Sequence, residues 1–179
     1  ESANIRGVPA FKWNNNSTQL IFSNDRSTVE MMKPSNTKQK PVHKSILGDM
    51  IFKNLGEYEW NIVIEKLGEI VYIGICGDEN LSTTEQNYHG WVLGSDGYVY
   101  RKKDWKWYDA KMKVGDNVTI HLNISTVDKR RKCECSFSIN GIKKPVVSGY
   151  GWNDIPTQVY PVVSLGCGSK LRIKPVSSV

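Results

Sequence analysis

Tyr58-Glu59-Trp60-Asn61-Ile62-Val63-Ile64-Glu65 puts Tyr58, Trp60, Ile62 and Ile64 on one face of an extended chain and polar Glu59 and Asn61 on the other. A period of two predicts a half-buried β-strand. On its C-terminal side, Lys66-Leu67-Gly68-Glu69 reads as a turn into Ile70-Val71-Tyr72-Ile73-Gly74-Ile75-Cys76, and the two runs are expected to pair as a hairpin. Next come Gly90-Trp91-Val92-Leu93, the turn Gly94-Ser95-Asp96-Gly97 and Tyr98-Val99-Tyr100, with Asp96-Gly97 a tight-turn signal. Val118, Ile120, Leu122 and Ile124 share an inward face, with Thr119, His121 and Asn123 opposite. The basic tip Lys129-Arg130-Arg131-Lys132 leads to a strand over Cys133 to Ile139, and Asn140-Gly141 marks the next hairpin turn. On the N-terminal side, Gln19 to Phe22 and Thr28 to Met31 flank the polar turn Ser23-Asn24-Asp25-Arg26, and residues 33 to 45 are expected to form a loop. Val159 to Leu165 and Leu171-Arg172-Ile173 close the chain as two strands. No long stripe of period 3.6 occurs, so the chain reads as all-β, an antiparallel sandwich or barrel with long loops at its rims.

The 179 residues suffice for one domain, expected over 17–175 between a lead-in at 1–16 and a tail at 176–179. The chain begins at Glu1 and is expected to be a piece of something longer. No run approaches the roughly 18 apolar residues of a membrane helix, so no membrane role is expected. The net charge of +6 gathers at Arg101-Lys102-Lys103, Lys129 to Lys132 and Lys143-Lys144, which read as solvated loop tips. Four cysteines give no disulfide framework. Cys133 and Cys135 share a strand face with Phe137 and Ile139, so free buried thiols and a reducing, cytoplasmic setting are expected. The Cys133/Cys135 pair lacks the second ligand pair of a zinc site, so no metal is expected. With His43, His89 and His121 the only histidines, the sequence contains no nucleophile elbow, phosphate loop or zinc-helix motif. No enzyme activity and no cofactor are expected.

Gly56-Glu57-Tyr58-Glu59-Trp60, Tyr72-Ile73-Gly74-Ile75, Gly90-Trp91-Val92-Leu93 with Gly97-Tyr98, Val114-Gly115-Asp116, Phe137-Ser138-Ile139-Asn140-Gly141 and Val159 to Leu165 follow one another in an order that resembles the successive blocks of a SPRY domain, from about residue 17 to 175. The resemblance implies a bent sandwich of two antiparallel sheets, a concanavalin-like jelly roll. It also implies a non-catalytic module of a larger protein that binds a protein or short peptide through loops at one edge; the module itself is expected to be monomeric.

Trp60 and Trp91 lie on or beside alternating strands and are expected in the core. The binding residues are therefore sought in loops near 24–27, 77–89, 101–109, 148–157 and 166–169. Trp105, Trp107 and Tyr108 stand in a charged segment and belong to residue types that dominate interface hot spots. Tyr88 and His89 end the long 77–89 loop, where Glu79, Asn80 and Asn87 add hydrogen-bonding groups. The resemblance implies that this loop borders the ligand groove. Trp152 lies in the other long connection, Cys167 in the last turn, and Arg26 is expected to reach the same rim. Two alternatives share the aromatic segment. Trp105 and Trp107 could stack on sugar faces in a lectin-like module, and Arg101 to Tyr108 could hold a nucleic-acid strand, a partner expected less than a protein.

Overall fold

The computed structural model describes residues 11–14, 19–33, 43–77, 90–102 and 104–175. Its strands are β1 (Ile21–Ser23), β2 (Thr28–Met31), β3 (Lys44–Leu47), β4 (Gly56–Lys66), β5 (Tyr72–Cys76), β6 (Trp91–Gly94), β7 (Tyr98–Arg101), β8 (Asp104–Trp107), β9 (Asn117–Val127), β10 (Arg130–Ile139), β11 (Ile142–Lys143), β12 (Tyr160–Leu165) and β13 (Ser169–Lys174). They form a seven-stranded sheet, in the order β1-β2-β13-β4-β9-β10-β11, and a six-stranded sheet, β3-β12-β5-β6-β7-β8. Every named pairing is antiparallel. This is the expected all-β sandwich of two sheets.

The alternation of the opening stretch survives into β4. Tyr58, Trp60, Ile62 and Ile64 are buried between the sheets, joined by Val118, Ile120, Leu122 and Ile124 of β9 and Cys133, Cys135, Phe137 and Ile139 of β10. From the facing sheet come Ile46, Ile73, Ile75, Leu93, Val99 and Val163. Phe52 stacks on Trp60 with centroids 5.0 Å apart, and Trp13 is fully buried against Phe11. The turn signals hold as well: Asn140-Gly141 connects β10 to β11 with both residues at positive φ. The four cysteines are free thiols, three of them buried.

Two expectations are corrected. β4 and β5 are not a hairpin: β4 pairs with β13 and β9, and β5 with β12 and β6 in the other sheet. The segment between them crosses the sandwich, where Glu69 donates its N–H to the Cys167 carbonyl at 3.3 Å. An alternating strand and its neighbour bury one face each whether they pair side by side or face each other, so patterning could not choose. The second correction lies in the 33–45 loop, since Lys44 and Ser45 begin β3, which pairs with β12; residues 34–42 lie outside the described part.

The six-stranded sheet also buries its outer face. Leu47, Tyr72, Cys76, Val92 and Val162 form a second apolar cluster with Tyr100 and Tyr160 packed against it. This is why β5 is buried at all five positions instead of alternating.

Candidate functional site

The strand directions sort the loops between two ends of the sandwich. Strands β5, β7 and β9 run toward the end that carries the 24–27 turn, Gly77 and Gly90, the Arg101–Asp104 turn and the 150–159 connection. The opposite end carries the 67–71 crossing, the Gly94–Gly97 turn and the β12–β13 corner with Cys167. Cys167 thus stands at the far end from the Arg101–Asp104 turn, not on a common rim with it. Arg26 shares the end but not the edge. Its carbonyl accepts from Trp13, which bridges to Gly48 beside β3, and β3 and β8 are opposite edges of their sheet. Glu79, Asn80, Asn87, Tyr88 and His89 lie outside the described residues.

Of the three aromatics in the basic segment, one is removed from the surface. Tyr108 is 2% exposed and packs edge-on against Phe137 and Tyr150, and its hydroxyl donates to the Pro145 carbonyl. Burial raises its phenol well above the ordinary value. Trp152, also 2% exposed, lies 6.0 Å from Phe137. Both are core residues, because the 3-10 turn Val147–Tyr150 folds the connection down onto β10. At 2% exposure neither ring offers a partner an area to bury.

Trp105 and Trp107 have the opposite character, 62% and 45% exposed on β8. They pair with Tyr100 and Tyr98, so all four rings project from the outer face of the sheet. Tyr98 meets Trp107 at 5.0 Å, Tyr100 at 6.4 Å, and Tyr100 meets Tyr72 at 5.2 Å, which makes an aromatic strip across that face. Lys111 Nζ stands 5.9 Å from the Trp107 ring centre. Gly97, at φ +93°, lets Trp107 lie over the turn, since a Cβ there would come within 2.8 Å of the indole.

β8 is also an edge with unpaired backbone. The Tyr108 N–H donates to the Gly97 carbonyl at 3.0 Å, which fixes the phase of the β7–β8 ladder. In an antiparallel pair, hydrogen-bonded and non-bonded positions alternate. Lys106 opposite Val99 is therefore a bonded pair, and Trp105 and Trp107 are the non-bonded ones. Their N–H and C=O groups point away from β7 and find no partner among the described residues.

On the inner side of this edge a groove of about 210 Å³ separates β8 from the 150–152 turn, lined by Arg101, Asp104, Lys106, Tyr150 and Gly151 with Val99 and Trp152 beneath. Asp154 holds the groove's end, accepting from the Arg101 guanidinium and, at 3.3 Å, from the Trp91 indole. Arg101 Nε is buried without an acceptor among the described residues. Lys106 has no acidic partner among the described residues.

The outer face of the seven-stranded sheet carries a second polar cluster that the sequence reading missed. Glu59 Oε1 lies 2.8 Å from His121 Nδ1, and His121 Nε2 lies 2.8 Å from Ser138 Oγ. The order carboxylate, imidazole, hydroxyl is that of a nucleophile relay. Period-two register on β4, β9 and β10 was the available signal. Ser138 is only 3% exposed and does not line the adjoining cleft of about 310 Å³, so a substrate there meets Glu59 and His121 but not the hydroxyl. The chain of bonds stitches three strands together. Among the described residues no group of His, Cys, Asp and Glu is placed to hold a metal, and no helix is long and apolar enough to cross a membrane.

No family model and no curated protein sequence matches the chain. Solved structures are similar in fold. A stonustoxin structure matches over 92% of this chain at 10% identity with a TM-score of 0.59, and the TRIM65 PSpry domain over 93% at 10% identity with a TM-score of 0.51. A peanut lectin solved with a nine-residue peptide matches over 94% of this chain and 92% of its own at 8% identity, with a TM-score of 0.48. The chain spans 27% of the stonustoxin chain and 92% of the TRIM65 domain. The fold is thus of the SPRY type, a sandwich of two antiparallel sheets.

Proposed function

We propose that this sandwich is a non-catalytic interaction module, part of a larger protein, that takes a protein or short peptide along the β8 edge through Trp105 and Trp107. One observation carries the reading: two exposed tryptophans stand two residues apart on an edge strand, and their outward backbone groups have no partner among the described residues. Burying such rings against a partner is the most productive contact a surface can offer. The 77–89 segment leaves from Gly77 and returns at Gly90, at the end where the β8 groove opens. Tyr88, His89, Glu79, Asn80 and Asn87 are proposed to extend the contact from there. A nucleic-acid strand is less well served by the same segment, because Arg101 is engaged by Asp154.

The test is capture from a native lysate at low and high salt, with and without nuclease, by the wild-type chain and by Trp105→Ala and Trp107→Ala. A defined protein is expected to survive high salt and nuclease. Each variant is expected to weaken its binding by more than about 1 kcal/mol, roughly fivefold, with unchanged melting. Unaltered affinity in both variants removes these residues from the site. Recovery of nucleic acid alone, lost with salt, or of glycans released by free sugar, replaces the protein ligand with another class.

A further inference from the structure

We infer that the partner enters as an added β-strand on β8, and that it is an extended acidic segment in which aliphatic and acidic residues alternate. The inference rests on the β8 edge being the binding surface. An edge strand with free N–H and C=O groups is a template for another strand. Here the groups free among the described residues belong to Trp105 and Trp107, about one strand repeat apart, which is the spacing an incoming strand requires.

Side chains of the incoming strand alternate between two environments. Residues opposite Trp105 and Trp107 project onto the outer face, over the two indoles and Tyr98 and Tyr100. Those of the other parity project into the inner groove between β8 and Gly151. The groove's polar groups decide what they are. Lys106 Nζ lies on the Gly151 side, 3.7 Å from where a Cβ on that glycine would stand. Lys102 sits exposed at the adjoining turn, while Arg101 is already engaged by Asp154. Asp104 is the one acidic residue lining the groove, and among the described residues it forms no ion pair. The balance favours a carboxylate, which would meet the Lys106 ammonium. It also disfavours a second copy of this chain, whose own β8 would bring Lys102 and Lys106 against themselves.

The experiment uses a synthetic eight-residue peptide alternating valine and glutamate, capped at both ends, and its valine–lysine counterpart. Binding is followed by amide and indole NMR shifts of the intact chain. The glutamate peptide is expected to bind at least tenfold more tightly than the lysine peptide and to move the Trp105 and Trp107 amides. Lys106→Glu is expected to reverse that preference. Methylating one alternate set of peptide nitrogens is expected to abolish binding, and methylating the other set to leave it within about twofold. That asymmetry requires no change to the protein. On the protein side, Trp105→Pro and Trp105→Ala both lose the indole, but only proline removes the outward N–H. An edge strand tolerates it there because no ladder bond is lost. Trp105→Pro is expected to bind the glutamate peptide at least fivefold more weakly than Trp105→Ala.

Equal affinity of those two variants, or equal effects of the two methylation patterns, overturns strand addition. If the lysate partner still depends on the indoles, the interaction surface itself stands. Equal binding of the two peptides overturns the acidic assignment, and concentration-dependent dimerisation abolished by Trp105→Pro would assign the edge to a second copy instead.

Discussion

Tyr108 and Trp105 are three residues apart and read alike as aromatic residues in a basic segment, yet burial gives them opposite work. The Tyr108 hydroxyl is held inside, donating to the Pro145 carbonyl, and its ring fills the space between Phe137 and Tyr150. Removing the hydroxyl leaves that carbonyl without its donor while keeping the ring's packing. Tyr108→Phe is therefore expected to cost about 1–2 kcal/mol of stability in urea unfolding and to leave partner affinity unchanged. A loss of affinity with unchanged stability would put Tyr108 back at the surface. The residue scale also explains why Trp152 misled. A tryptophan in a long polar connection looks available, but the 3-10 turn before it ends at Gly151 in the left-handed region, φ 93°, and the chain then drops the indole beside Phe137.

Between elements, close approach matters more than residue type. β5 and β6 pass so near each other at Gly74 that a Cβ there would lie 2.0 Å from the Trp91 carbonyl oxygen and 2.8 Å from Val92 Cα. The obstacle is backbone, which cannot rotate aside. Gly74→Ala is expected to lower stability by about 3 kcal/mol, read as a shifted urea midpoint, by forcing the centre of the six-stranded sheet apart. A midpoint within about 0.5 kcal/mol of wild type would show that the two strands separate freely. The elements themselves were legible where one face meets the core: β4, β9 and β10 alternate in sequence and in burial. Asp96-Gly97 and Asn140-Gly141 were legible because so few residues accept positive φ in tight turns. What alternation cannot convey is which sheet a strand joins. β5, buried on both faces, shows no alternation at all, and nothing in its residues says that it faces β4 instead of pairing with it. β8 showed its aromatic residues in sequence, but its being an edge depends on the order of six strands that are far apart in the chain.

At the scale of the whole molecule, the sandwich encloses several groups whose ionisation burial disfavours. Burial raises the Cys133 thiol from 9.0 to about 12 and Cys135 well above 9.0, and it raises the Tyr58 and Tyr108 phenols above 10.0. In the unfolded chain the thiols release their protons near 9 and the phenols near 10, while the folded chain retains them. Above about pH 9 the unfolded state therefore binds fewer protons than the folded one, and stability falls as pH rises. The contribution of Cys133 is present in full below about pH 9 and is lost by about pH 12. Urea midpoints at constant ionic strength are expected to be nearly level from pH 7 to 8.5 and to decline steadily beyond 9. Cys135→Ala removes one of the titrating groups and is expected to make that decline shallower, though it lowers the starting stability by leaving space beside Tyr108 and Phe137. The slope, not the starting value, is the diagnostic, since a cavity costs the same at every pH and a buried thiol does not. A slope unchanged by the substitution would mean that the unfolded thiol is as protonated as the folded one, and that the seam between the two sheets admits water at β10.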